Sequence, residues 1–313
     1  MKKENTAPTF VLILGLTLVL LPSSARGQTV MGQYEEEAPL ATWNLFGAPG
    51  AAALGRGASL FAPGDDASVI FANPAQAVRL PGLSVSLGGG LHSASLFRFG
   101  PVNTGPISST ENLPLDTLAL DFAALTLNLK GWVIGLGAGL IEIYDRPYVE
   151  AGAASYNALF TFHQEGYLRA WNVSLARELF PGFSLGLGAN LVSGRWAWEM
   201  TDRWNASPRT VTITDERSRD LEGFYLNGGV VWRLSERVSM TAAFRTPYGL
   251  SADTRSLLRY QAPGGGTDIR IEAEGASRFT RPAAAGFGVE WAARDNLRLL
   301  GEVGWWNWAS YTA

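Results

Sequence analysis

From Leu83 onward the chain alternates large apolar residues with small or polar ones, segment after segment. Leu83, Val85, Leu87 and Leu91 share one face, and Ser84, Ser86, Gly88 and Gly90 share the other. Trp132, Ile134, Leu136, Ala138 and Leu140 alternate with Gly135, Gly137 and Gly139. Phe183, Leu185, Leu187, Ala189 and Leu191 alternate with Ser184, Gly186, Gly188 and Asn190. Similar patterns run through 224–233, 238–245 and 283–291. Period two is the mark of a one-sided β-strand. The alternation slips near Ala123-Ala124, where a bulge would restore it. The longest apolar stretch here, 132–141, is broken by three glycines and is far shorter than the roughly 20 residues a membrane helix needs. In lipid, only helices and closed barrels satisfy their own backbone.

The connections are asymmetric. Short turns fall at Asn128-Leu129-Lys130-Gly131, Phe180-Pro181-Gly182, Ser235-Glu236-Arg237 and Arg294-Asp295-Asn296. Between them lie long polar stretches at 100–114, 144–165, 200–219 and 251–280, read as loops. Tight turns at one end and long loops at the other suit an outer-membrane barrel better than a soluble sandwich. The 11 Trp agree. Trp132, Trp232 and Trp291 sit beside short turns, while Trp196, Trp198, Trp305, Trp306 and Trp308 lie near the loop ends, as two aromatic girdles would. The expected strands are 82–98, 115–129, 131–143, 166–179, 182–198, 220–234, 237–249, 280–293 and 296–309.

Ahead of the strands, Met1-Lys2-Lys3, an apolar run at 10–21 and Ala25-Arg26-Gly27 form the three parts of a secretory signal peptide, cut before Gln28. Residues 28–81 are rich in Ala, Gly and Pro and show no long alternation. A segment that small cannot bury a core alone, so it is expected to fold inside the barrel as a hatch. The domain reading is a signal at 1–27, a hatch at 28–81 and a barrel at 82–313.

The stretch AALGRGASLFAPGDDASVIFANPAQ resembles the N-terminal region of the long-chain fatty-acid transporter (FadL/TodX-type) outer-membrane family. Phe244-Arg245-Thr246-Pro247-Tyr248 is similar to that family's strand ending in an aromatic-Arg-Ser-Pro element. Pro282-Ala283-Ala284-Ala285-Gly286-Phe287-Gly288-Val289, followed by Trp305-Trp306-Asn307-Trp308-Ala309-Ser310, resembles its Pro-Ala-hydrophobic-Gly and Trp-x-x-Trp-Ser strands. The resemblance implies a transmembrane antiparallel β-barrel of 14 strands with an N-terminal hatch, passing hydrophobic molecules. Nine strands are an odd number, and the chain ends at Tyr311-Thr312-Ala313 without a terminal aromatic. Bacterial single-chain barrels usually have even counts, so the expectation is an incomplete barrel lacking about five strands.

The resemblance also implies roles. Asn73, Pro74 and Ala75 belong to the hatch near the passage. The third strand is the one that kinks, which puts Gly135, Gly137 and Gly139 beside a lateral gap near Asn73. The face parity places Asp121, Arg233, Arg245, Glu290, Arg298 and Glu302 on the lumen, because an Arg or Lys facing lipid at mid-depth costs about 2–4 kcal/mol.

Other chemistry is excluded or weak. No Cys means no disulfide and no thiolate metal site. His92 and His163 lack metal-ligand spacing, and no nucleophile elbow occurs. No enzyme and no cofactor are therefore expected. Net charge is −3, without the basic excess nucleic acid needs. The expected function is passive uptake of hydrophobic compounds such as fatty acids across the bacterial outer membrane, by a monomer in contact with outer-membrane lipid. The alternative is a non-transporting barrel that shuttles or anchors secreted proteins.

Overall fold

The computed structural model describes residues 41–42, 53, 55, 64–94, 107–112, 115–153, 158–206, 209–261 and 268–310. The expected signal at 1–27 and most of 28–63 lie outside the described residues. The described chain is almost entirely antiparallel sheet, and no helix is long and apolar enough to cross a membrane.

The strands in chain order are β1 (Ala41–Thr42), β2 (Leu83–Ala94), β3 (Ile107–Asn112), β4 (Leu115–Leu129), β5 (Trp132–Ile143), β6 (Arg146–Ala153) and β7 (Ala158–Phe180). They continue as β8 (Phe183–Ala206), β9 (Arg209–Arg233), β10 (Val238–Arg245), β11 (Tyr248–Gln261), β12 (Ile269–Arg281), β13 (Ala284–Arg294) and β14 (Leu297–Trp306). Nine of them form an unbroken hydrogen-bonded path, β14-β13-β10-β9-β8-β7-β5-β4-β2. The remaining segments are not extra staves of this path. β11 and β12 pair with each other above β10 and β13, β3 and β6 pair beside the far end of β7, and β1 pairs with β5. Along this path β2 and β14 each pair on one side only.

The turns explain the hairpins. Lys130 and Gly131 both have positive φ, 53° and 89°, which is the two-residue type I′ geometry that matches strand twist. Asn128 Oδ1 accepts the Gly131 N–H at 3.1 Å. Pro181-Gly182, with Gly182 at φ 83°, suits a type II turn, where Pro presets one φ and Gly supplies the other.

The polar stretches read as loops are largely strand. β7, β8 and β9 run 23, 24 and 25 residues, well past the apolar band, and 251–280 is mostly the β11–β12 hairpin. Polar alternation hides the strand signal there, because both faces meet water or charge. Two prolines break the long staves: Thr246-Pro247 separates β10 from β11, and Pro282-Ala283 separates β12 from β13. A proline cannot donate to the ladder. Arg245 Nη2 donates to the Pro282 carbonyl at 2.7 Å and ties the two breaks together.

The two faces follow the alternation. Leu87, Leu118, Trp171 and Leu191 are exposed on one face (71%, 83%, 53% and 63%). The opposite face carries Gly, Ser and Asn and is covered by residues 64–80, which contribute Ile70, Phe71 and Ala77 to a buried cluster with Phe122, Ala124, Val133 and Ala176. The bulge in β4 lies at Asp121, opposite Gly88/Gly89, rather than at Ala123-Ala124. One extra residue there moves the apolar side chains from odd positions below it to Leu118 and Leu120 above it.

The Trp residues divide by face. Trp132, Trp232 and Trp291 point outward near the short turns, 43–48% exposed. Trp196 and Trp198 are buried, on the same face as Asn190 and Val192, so they do not belong to an outer girdle. Arg219 and Arg217 stack over them at 4.9 and 4.8 Å. Even-numbered residues of β8 face inward from Ser184 to Trp198, and that parity alone sets both indoles inside.

Candidate functional site

The inner seat is built from a short helix α1 (Val69–Ala72) and a 3-10 helix (Pro74–Arg79) joined at Asn73. Asp66 starts the segment by accepting the Ser68 N–H at 2.9 Å. Asn73 is fully buried. Its Oδ1 accepts the Ala75 N–H at 3.1 Å, and its Nδ2 donates to the carbonyls of Val230 and Ala242, each at 3.2 Å. Pro74 begins the second helix, where its missing N–H costs nothing. This packing needs glycine beneath it. A Cβ on Gly186 would strike the Ala75 nitrogen, and one on Gly229 would strike the Asn73 side chain.

Three buried asparagines hold the seat from the wall. Asn172 Nδ2 donates to Asn190 Oδ1 at 2.8 Å, and Asn190 Nδ2 to Asn227 Oδ1 at 2.8 Å. Asn227 Nδ2 donates to the carbonyls of Ile70 and Phe71, both at 2.9 Å. These carbonyls end α1, so Asn227 satisfies groups the helix leaves unpaired. Replacing Asn227 with Ala should destabilise the seat by about 1–3 kcal/mol, the cost of stranding buried polar partners. Proteolysis within 64–80 should quicken, while the strand spectrum stays unchanged.

The two residue sets expected at one gap lie on the same face but apart. Asn73, Pro74 and Ala75 meet β8, β9 and β10. Gly135, Gly137 and Gly139 of β5 are covered instead by Ile70 and Phe71.

Pairing between β4 and β5 stops part-way along β5. β4 and β5 pair from Leu129↔Trp132 up to Phe122↔Gly139 and no further. Above that point β4 pairs with β2, while β5 keeps β7. Ile141 is an extra residue against β7, between Leu140↔Arg169 and Glu142↔Leu168. Such a bulge bends a strand and sharpens its twist. Leu140 continues the outward parity of Trp132, Ile134 and Leu136, yet it is only 1% exposed. Ile143, beyond the bulge, is likewise only 2% exposed, so both sides of β5 are covered from Leu140 upward. Its vacated edge is paired by β1, with Ala41↔Ile143 and Thr42↔Glu142.

Ile141 of this bulge belongs to a second apolar cluster, which also includes Tyr144, Leu168, Trp196, Tyr225 and Leu250. Two arginines reach its edge. Arg281 Nη2 meets Glu142 Oε2 at 2.8 Å, with the carboxylate 2% exposed and also taking the Tyr144 hydroxyl. Arg245, 2% exposed, stands 5.5 and 5.3 Å from the rings of Tyr225 and Tyr248. Sequence reasoning found Arg245 and missed Glu142, Tyr144 and Arg281. The signal was present, since Glu142 is the one charge in β5 and Arg281 precedes a strand-breaking proline.

The other charges sit as follows. Asp121 Oδ1 lies 2.9 Å from His92 Nε2, so the histidine has a carboxylate neighbour that the linear sequence did not suggest. Glu290 pairs with Arg298 at 3.0 Å. Arg233 and Arg79 share that neighbourhood. Glu302 stands opposite Gly288 of the inner face. Among the described residues no three metal-ligating side chains gather.

Solved structures contain a match for the fold. The fold is that of a FadL-type barrel. A Pseudomonas aeruginosa FadL homologue superposes with a TM-score of 0.55 at 16% identity, over 85% of this chain and 70% of that one. No protein-family model and no curated protein matches the sequence.

Proposed function

We propose that this protein is a passive transporter of hydrophobic compounds such as long-chain fatty acids in the bacterial outer membrane. In this reading, residues 28–81 plug the barrel and the solute leaves sideways through the wall between β4 and β5. The observation that carries it is the end of β4–β5 pairing at Phe122↔Gly139, directly below the Ile141 bulge, where Ile141 joins the inner apolar cluster. An apolar solute gains about 25 cal/mol for each Å² it keeps out of water. A path from an apolar cluster through the wall to lipid avoids a polar lumen lined by Gly, Ser and Asn. The exposed apolar side chains of the outer face suit a lipid environment, and the FadL-type fold agrees with the assignment.

The test is uptake of a labelled long-chain fatty acid by cells making the full-length protein. Deleting Ile141 removes the bulge while leaving Leu140 and Glu142 opposite consecutive residues of β7. Uptake should then fall to the level of cells lacking the protein, with the barrel still folded and inserted. Undiminished uptake by an inserted deletion variant would sink the lateral exit. Replacing the three glycines of β5 is a poorer test, because side chains there would also dislodge Ile70 and Phe71.

A further inference from the structure

On the outer face of β7, β8 and β9 the chemistry changes from one row of cross-strand partners to the next. Trp171, Leu191 and Phe224 form the last wholly apolar row. The row above it, toward the loops, is Arg169, Ser193 and Glu222, and the next is Tyr167, Arg195 and Asp220. Below the break, the outward positions of β8 from Phe183 to Leu191 cover about 27 Å along the strand. A strand tilt of about 35–45° turns that into about 20 Å of depth, close to the apolar band of roughly 25 Å in outer-membrane barrels. The break therefore marks the upper limit of the hydrocarbon, and the Arg169 row falls at the level of lipid headgroups. Tyr167 and Trp171 flank Arg169 on the same face of β7, 48% and 53% exposed, as aromatic residues do at that level. The Trp171 indole is held there by donating to Ser193 Oγ at 3.1 Å.

Arg169 is poorly satisfied by the protein itself. Its guanidinium stands 5.2 Å from the centre of the Tyr167 ring. Its Nε is shut off from solvent without a hydrogen-bond partner, and among the described residues it pairs with no carboxylate. Arg195 is its diagonal neighbour across the β7–β8 ladder, about 7–8 Å away at the backbone and within reach of a long side chain. Arg195 Nη2 lies 3.9 Å from Glu165 Oε1, with both side chains more than half exposed, a pair that water screens to little. The acids of these two rows, Glu222 and Asp220, stand on β9 and leave the β7 side positive.

We infer that Arg169, Arg195 and the Tyr167 hydroxyl bind the phosphate of a lipid headgroup in the leaflet on the loop side. The inference rests on the outer-membrane reading and deepens it, by naming the lipid chemistry that this wall meets. Guanidinium forks match phosphate oxygens two at a time, and a phosphate at this depth is resident in the leaflet rather than delivered to it. Arg177 is the contrast on the same strand. It also faces outward, at the short-turn end, 4.7 Å over the Trp132 ring, but its diagonal neighbours on β8 are Phe183 and Leu187.

The full-length protein, purified in detergent, would be titrated with diphosphorylated lipid A, with intact complexes counted by native mass spectrometry. Binding should saturate at a single lipid. Arg169→Gln should weaken it by about tenfold or more, the loss of a charged hydrogen-bonding partner, and Arg169→Lys should weaken it less. Arg177→Gln should leave it unchanged. The same lipid stripped of both phosphates should bind only in proportion to its concentration. Should Arg169→Gln not fold, Arg195→Gln carries the test and should weaken binding in the same direction. Parent affinity in the Arg169 or Arg195 variant, or an equal loss in Arg177→Gln, would overturn the site. So would undiminished binding of the stripped lipid. Displacement of the lipid by inorganic phosphate would make this a site for free anions, and displacement by stearic acid a stop for the transported solute; either overturns the lipid assignment. Fractionation of cells making the parent reads the location separately. Protein in the outer membrane with no effect of Arg169→Gln removes this site alone, and protein absent from the outer membrane removes the reading it rests on.

Discussion

Replacing Arg281 with Ala should destabilise the folded barrel by about 3–5 kcal/mol, the cost of stranding one partner of a buried ion pair. Glu142 is 2% exposed and Arg281 16%, so water cannot take over for the lost guanidinium. The Tyr144 hydroxyl would remain on the carboxylate but carries no charge. The damage should concentrate at the β5 bulge, because Glu142 is the residue that follows it. Hydrogen exchange should rise first in 140–144, ahead of 132–139. The double variant Arg281→Met with Glu142→Met should recover most of the loss, because well-packed apolar pairs of similar volume often replace buried ion pairs at no cost. A guanidinium midpoint for Arg281→Ala equal to that of the parent would show that the pair does not hold the bend.

Replacing Gly186 with Val should release the segment that sits on it. The added Cβ would meet backbone, the Ala75 nitrogen and the Pro74 carbonyl carbon, and backbone cannot rotate aside as a side chain can. Overpacking of this kind costs about 1–3 kcal/mol, and one or two kcal/mol changes a population by a factor of roughly 5–30. If residues 64–80 plug the barrel, cells making the full-length variant should become sensitive by a similar factor to a large hydrophilic antibiotic that the outer membrane normally excludes. Gly275→Val is the control, since a Cβ there meets nothing within 4 Å. Unchanged sensitivity, with the variant inserted and 64–80 newly open to protease, would mean that this segment does not block the passage.

The sequence by itself determined the strands and their faces. Alternation is a local property, so Leu185, Leu187 and Leu191 point out and Ser184, Gly186 and Asn190 point in whatever their neighbours are. The same parity placed Arg245 and Glu290 inside, and it would have placed Trp196 and Trp198 there had it been followed past Gly194. Short turns were legible because Lys130-Gly131 and Pro181-Gly182 carry their own backbone preferences. Tertiary structure decided which partners these faces meet. Glu142 and Arg281 are 139 residues apart, and Asn227 reaches carbonyls 156 and 157 residues away, distances at which no periodicity carries information. The bulges at Asp121 and Ile141 are defined only against a paired strand, since an extra residue exists only relative to a neighbour's count. For the same reason the parting of β4 from β5, and the pairing of β1 with the edge left free, belong to the assembled sheet and to no segment alone.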